Sequence, residues 1–242
     1  MSDTLTAPVA APNRVNQVPI TDDVLNVADF NNRIVGAYND GSAELGLPAD
    51  NSTLRSFIPA GTGILRDFSY IAPEIPLLNS ENCVACMACV IECPDTAILG
   101  KVVPKSKLEA ELAQIPDEAE REHYRKQFGK TTKFWNVYEK KGDEPGYFGI
   151  FIDPTKCKGC AECVDACGDH DALAMLKKDD RTLKRYQRTW NFYTKMPETP
   201  KKFINEKLHT DMMMAERSLL YVGGAGSCMG CGEGTALRMM LA

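Results

Sequence analysis

Cys157-Lys158-Gly159-Cys160-Ala161-Glu162-Cys163-Val164-Asp165-Ala166-Cys167 decides how this chain is read, because an earlier stretch repeats its spacing. The twin is Cys83-Val84-Ala85-Cys86-Met87-Ala88-Cys89-Val90-Ile91-Glu92-Cys93-Pro94. Both runs follow C-x2-C-x2-C-x3-C, the bacterial iron–sulfur spacing in which the fourth cysteine ligates the other cluster. Three thiolates at i, i+3 and i+6 on a looping backbone can wrap three corners of one cubane. The rule predicts one [4Fe-4S] cluster on Cys83, Cys86, Cys89 and Cys167. It predicts a second on Cys157, Cys160, Cys163 and Cys93.

Two plainer readings compete. A single C-x2-C pair is often half of a zinc knuckle, and in a small secreted chain it is a disulfide staple. Structural zinc sites usually draw two pairs from separated loops, so four cysteines within eleven residues suit them poorly. One departure from the iron–sulfur pattern is visible. Pro94 follows the first run, whereas Gly168 stands in the equivalent place of the second, a change that loosens the turn without removing a ligand.

Working outward, the two runs look like an internal duplication. Asn79-Ser80-Glu81-Asn82 precedes the first and Asp153-Pro154-Thr155-Lys156 the second, with Val90 and Val164 matched after the third cysteines. Ala97-Ile98-Leu99 and Ala172-Leu173-Ala174-Met175 follow as short apolar strands. Tyr147 to Ile152, aromatic and β-branched, reads as the strand entering the second half. Each half is strand, cluster loop, short helix, strand, so the fold class expected is α+β. A two-cluster ferredoxin-like domain is placed at residues 72–180, with a helical insertion at about 101–146. Ser69 to Leu78 carries prolines that rule out a central strand and suggest an edge or connector.

Within the insertion, Ser106-Lys107-Leu108-Glu109 is a capping-box signature opening a helix through Leu112. Pro116 starts a second, charged helix over Asp117–Gln127, closed by Gly129. Glu118 with Arg121 and Glu122 with Arg125 are spaced for i,i+3 pairing on a solvated face. Phe134, Trp135 and Tyr138 are the residues expected to pack the insertion on the core.

The whole chain has 242 residues, 44% hydrophobic and 25% charged, with formal net charge −5. That is a globular composition. No stretch nears the roughly 18 apolar residues of a membrane span, and residues 1–20 lack a secretory pattern, so a cytoplasmic location is expected. Ten clustered cysteines suit metal centres in a reducing compartment better than oxidative bridges. Residues 1–71 read as a tail and connector, with a short helix between Asp22 and Tyr38 capped by Thr21. Residues 181–220 read as a linker. A basic stretch that overlaps it, from Lys177 to Lys207, carries Trp190, Phe192 and Tyr193. A solvated helix or a surface for an acidic neighbour fits it better than a nucleic-acid site, and neither nucleic acid nor membrane is an expected partner.

The last stretch, Tyr221-Val222-Gly223-Gly224-Ala225-Gly226-Ser227-Cys228-Met229-Gly230-Cys231-Gly232-Glu233-Gly234, is rich in glycine, which lets backbone approach a bulky group. Cys228 and Cys231 form one more C-x2-C, by itself either half a metal site or a dithiol. Leu237, Met239, Met240 and Leu241 follow as an amphipathic helix that reads as the start of an unfinished domain.

Two ferredoxin runs, then Trp190-Asn191-Phe192-Tyr193-Thr194-Lys195-Met196-Pro197-Glu198, then Gly224-Ala225-Gly226-Ser227-Cys228-Met229-Gly230-Cys231-Gly232-Glu233: this order resembles the pyruvate:ferredoxin (flavodoxin) oxidoreductase family. Those are thiamine-diphosphate-dependent 2-oxoacid:acceptor oxidoreductases. The resemblance covers residues 71–242 and implies that 221–242 begin an α/β thiamine-diphosphate-binding domain. It implies that Cys228 and Cys231 supply two ligands of a third [4Fe-4S] cluster and that Glu233 lies at the thiamine diphosphate. The family's other two ligands of that cluster, its magnesium–diphosphate motif and its pyrimidine-binding domain are missing from these 242 residues. The chain is therefore expected to be a fragment or subunit, inactive alone, with thiamine diphosphate, Mg and the third cluster belonging to the complete enzyme. Implied partners are the remaining catalytic domains or subunits, ferredoxin or flavodoxin as acceptor, and a 2-oxoacid with coenzyme A. A stand-alone polyferredoxin-like carrier, or a relay subunit of another dehydrogenase, is the competing reading.

Overall fold

The computed structural model describes residues 27–47, 53, 56, 59, 67–215 and 232–241. The expected tail, the Thr21 cap, most of the connector before Asp67 and the loop with Cys228 and Cys231 lie outside the described residues. The chain divides into two compact units, 1–67 and 68–242. In the first, helices α1 (Val27–Phe30) and α2 (Gly36–Asn39) run through a π-helical turn at Asn31–Val35. Phe30, Ile34 and Val35 make its apolar cluster, and Asp29 pairs with Arg33 one turn on, both buried. The expected short helix is present.

The second unit is mixed helix and small sheets, as the fold-class reading required at that level. In chain order it contains β1 (Glu74–Leu78), α3 (Ala88–Glu92), β2 (Ile98–Pro104), α4 (Lys105–Ala113), α5 (Glu118–Arg125) and β3 (Phe128–Gly129). There follow α6 (Val137–Lys140), β4 (Gly146–Ile152), α7 (Glu162–Cys167), β5 (Leu173–Lys177), α8 (Asp180–Lys195), α9 (His209–Met212) and α10 (Gly232–Leu241).

The pairing of the strands crosses the duplication. β1, which leads into the first cysteine run, pairs antiparallel with β5, which leaves the second; Glu74 faces Lys177 and Leu78 faces Leu173. β2, which leaves the first run, pairs antiparallel with β4, which enters the second, from Ile98 opposite Ile152 to Pro104 opposite Gly146. Both runs are thus pulled to one end of the sheets, and α3 packs on α7. Pro76 is tolerated because β1 has a single neighbour among the described residues, and its carbonyl accepts a 2.8 Å hydrogen bond from the Tyr186 hydroxyl.

The insertion differs from its sequence reading in two ways. The capping box is not made: α4 starts at Lys105 after Pro104, and Ser106 lies inside the first turn. Glu144, 38 residues on, reaches across and accepts from both the Ser106 amide and hydroxyl. Glu109 is then left to Arg125, which holds it through two 2.9 Å hydrogen bonds. Arg125 therefore ties α5 to α4 instead of pairing with Glu122 along its own helix. Gly129 does not close α5 either; it pairs with Phe148 in β3, where a Cβ would meet the Ser80 carbonyl at 2.4 Å. Asp117 does cap α5, accepting from the Glu120 amide. Phe134 stacks on Phe148 at 5.7 Å and Trp135 lies 4.5 Å from Tyr147, so the insertion is packed as expected.

The stretch expected to serve as a linker opens with the longest helix among the described residues. Asp179 caps α8 by accepting from the Thr182 amide, and Leu183, Tyr186, Thr189, Phe192 and Tyr193 face inward. Phe192 stacks on Tyr124 at 4.3 Å, and Trp190 on Tyr193 at 4.8 Å. The aromatics interleaved with the basic residues therefore belong to a core. Lys101 on β2 closes the far end of this helix. Its ammonium, almost wholly buried, donates to the carbonyls of Tyr193 and Met196 and lies 4.2 Å from the Tyr193 ring. Lys101→Met keeps the stem but strands two carbonyls, so it should lower stability by about 1–3 kcal/mol in denaturant titrations.

Candidate metal centre

The two cysteine loops share an unusual backbone signature. Ala85 and Gly159, the second residues after the first cysteines, have φ of +62° and +68°. Met87 and Ala161, just after the second cysteines, have +65° and +67°. Left-handed φ at alanine and methionine is uncommon and costs energy, so its repetition in both halves marks a conformation the loops must hold. Alternating the backbone this way turns successive amides inward, a concave arrangement suited to negative charge. The amides of Ala85 and Gly159 bond the thiols of Cys83 and Cys157 respectively. At Gly159 the absence of a side chain is also required, since a Cβ would lie 2.8 Å from the Glu74 carbonyl.

Each loop then runs into its short helix, α3 or α7, which carries the third cysteine and delivers the fourth at its end. The Cys93 thiol accepts from the Ala97 amide at 3.3 Å. After Cys167, Gly168 takes φ +50°, the freedom expected where the first run has proline.

Two hollows result, and they sort the thiols across the runs. Cys83, Cys86, Cys89 and Cys167 line one, with Leu78, Phe148 and Ile150 among its apolar walls. Cys157, Cys160, Cys163 and Cys93 line the other, with Ile98 and Ile152. All eight are free thiols. Among the described residues no three ligating side chains converge on a single-ion site; the thiols surround cavities instead. His170 also lines the first hollow and Lys158 the second; the spacing rule marks neither.

Burial dominates the electrostatics of the metal-free thiols. It pushes Cys157 up to about 12, raises Cys163 and Cys89 strongly, and raises Cys83 and Cys93. Fellow thiols add to this: Cys167 acts on Cys83, and Cys93 acts on both Cys157 and Cys163. Positive charge opposes it at Cys93 and Cys157. Arg238 draws Cys93 down, Lys178 draws Cys157 down, and Lys158 pairs with the buried Asp95 at 3.0 Å. The arrangement can hold a group that neutralises eight thiolates, four at a time.

The remaining two cysteines expected as ligands, Cys228 and Cys231, lie outside the described residues. Glu233 is described: it is exposed, in the first turn of α10. That helix packs back on α3, with the Thr235 hydroxyl donating to the Ile91 carbonyl. No helix among the described residues is long and apolar enough to cross a membrane.

These features define a duplicated α/β unit with two thiol-lined hollows, and comparison with known proteins narrows the class. No family model matches the chain. Curated relatives over 70–95% of it are pyruvate-flavodoxin or pyruvate:ferredoxin oxidoreductases, at 23–30% identity, which bears out the resemblance carried by the motifs. Pyruvate-flavodoxin oxidoreductase of Nostoc sp. is 27% identical over 70% of this chain and 13% of its own length. Pyruvate:ferredoxin oxidoreductase of Moorella thermoacetica is 28% identical over 80% of this chain and 15% of its own. The pyruvate dehydrogenase [NADP(+)] of Cryptosporidium parvum is 29% identical over 89% of this chain and 10% of its own. The chain spans only about a tenth to a fifth of the length of these relatives.

The thiol shifts carry a pH signature for the metal-free chain. A thiol whose pKa is higher folded than unfolded favours the fold below its unfolded value, and that contribution is lost as pH rises through the folded value. For Cys157 the window runs from about 9 to about 12. Under reducing, metal-free conditions, the melting temperature of the native chain should therefore fall faster above pH 9 than that of Cys157→Ser. Parallel pH profiles for the two would contradict the burial described.

Proposed function

We propose that residues 72–180 form a two-cluster ferredoxin-like domain, the electron-relay part of a thiamine-diphosphate-dependent 2-oxoacid:ferredoxin or flavodoxin oxidoreductase acting on pyruvate. The observation that carries this is the crossed sorting of thiols, three from one run and the fourth from the other, around each hollow. Four thiols spread around an apolar cavity suit a cubane; one zinc ion would need its sulfurs drawn in to about 2.3 Å. When bound, [4Fe-4S] clusters supply one-electron storage at potentials set by burial, charge and hydrogen bonds to sulfur.

The chain's own residues do the rest. Cys83, Cys86, Cys89 and Cys167 would hold one cluster, and Cys157, Cys160, Cys163 and Cys93 the other. The apolar walls, Phe148 and Ile150 on one side and Ile98 and Ile152 on the other, exclude water. The inward amides of Ala85 and Gly159 donate to sulfur. Residues 1–71 serve as connector and 181–220 as the passage to 221–242, the opening segment of the thiamine-diphosphate domain. There Cys228 and Cys231 would contribute to a third cluster, and Glu233 to thiamine diphosphate with its Mg, in a complete enzyme that also takes up coenzyme A. The 242 residues alone carry out no decarboxylation. The reading places the protein in the cytoplasm.

Iron and acid-labile sulfide on anaerobically reconstituted chain should come to about eight of each, two cubanes' worth. Zinc without sulfide would overturn the assignment. Cys93→Ser should damage the cluster beside the second run and spare its sequence neighbour; the reverse would refute the crossed ligation. The enzymatic part is tested by purification from the native source, where pyruvate- and coenzyme A-dependent reduction of a viologen dye should co-elute with the chain. Elution of the chain apart from any such activity would contradict it.

A further inference from the structure

The duplication is not electrostatically symmetric, and the residue that breaks the symmetry comes from outside it. Arg238, on α10, has no solvent exposure. One of its terminal nitrogens donates to the carbonyls of Val90 at 2.7 Å and Cys93 at 2.8 Å, closing the C-terminal end of α3. Thr235, one turn earlier, takes the Ile91 carbonyl between them at 3.1 Å. A full positive charge is thereby fixed out of water against the one cysteine that crosses from the first run to the second hollow. In a low-dielectric setting such a charge acts strongly on its neighbours. The same hollow is lined by Lys158, which pairs with Asp95 at 3.0 Å, and by Glu162, so Arg238 is the charge there held against the backbone of the crossing cysteine. At the other hollow, which His170 lines, the groups acting on Cys83 and Cys89 are fellow thiols.

We infer that Arg238 is a positioning residue for the quartet of Cys93, Cys157, Cys160 and Cys163, holding the Cys93 backbone and raising the reduction potential of that site above its twin. The inference rests on the cluster reading above. Reduction adds one negative charge at the site, and a fixed guanidinium favours the more negative state. Because Arg238 shares α10 with Glu233, the potential of this site is tied to the seating of that helix.

The test is a redox titration followed by electron paramagnetic resonance on the full reconstituted chain, comparing native protein, Arg238→Gln and Arg238→Lys. Cys160→Ser marks the signal of the Cys93 quartet. Iron and sulfide content, measured first, reports on the cluster reading independently of the potentials. In Arg238→Gln the reduced-to-oxidised ratio of the marked site at fixed ambient potential should drop about tenfold, equivalent to ~59 mV for a one-electron couple. The other site should stay unchanged, and Arg238→Lys should recover most of the loss. If the Gln variant instead loses the marked cluster while keeping the other, the positioning role is supported. Equal shifts at both sites, no shift, an upward shift, or loss of both clusters would overturn it.

Discussion

Everything in the larger unit follows from one constraint: the fourth thiol of each cysteine run must reach the hollow built by the other run. A run of eleven residues cannot do this by itself. The strands before and after each run have to be exchanged, β1 with β5 and β2 with β4, so that both loops open at the same end. The two short helices must then pack on each other to bring Cys93 and Cys167 across. Buried thiols are costly to ionise, as the upward push on Cys157 and Cys163 illustrates, so any group that took these sulfurs as thiolates would have to bring positive charge to displace their protons.

The rest of the unit braces that end. The insertion braces β4 through Phe134 on Phe148 and ties its own helices by the Glu109–Arg125 bridge. α8 lies over the sheet, with Lys101 buried beneath its C-terminal carbonyls. These contacts rigidify the strands from which the loops hang, and rigid walls keep the donors to sulfur in place. Arg238 on the Cys93 carbonyl, with Lys178 acting on Cys157, distinguishes one half of the structural repeat from the other.

Much of this was legible in the sequence because cysteine spacing is a metric signal: the thiols must fit a body of fixed size. The crossed grouping of thiols around the two hollows, the short strands after each fourth cysteine, the edge character of the Pro76 strand and the packing of Phe134 and Trp135 all followed from it or from strand chemistry. The left-handed conformations of Ala85, Met87 and Ala161 were not legible, since neither residue type prefers that region and only tertiary closure enforces it. The capping box at Ser106 failed for a related reason, a distant carboxylate at Glu144 that no local window contains. Arg238 was equally hidden. In the chain it is one polar residue on an amphipathic helix that looked unfinished, and its role comes from carbonyls nearly 150 positions earlier.

An anomalous difference map at the iron edge, from crystals of the reconstituted chain, measures the crossing most directly. Two iron centres are expected, one bonded to Cys83, Cys86, Cys89 and Cys167 and the other to Cys157, Cys160, Cys163 and Cys93. Iron bonded to all four cysteines of a single run would contradict the crossing.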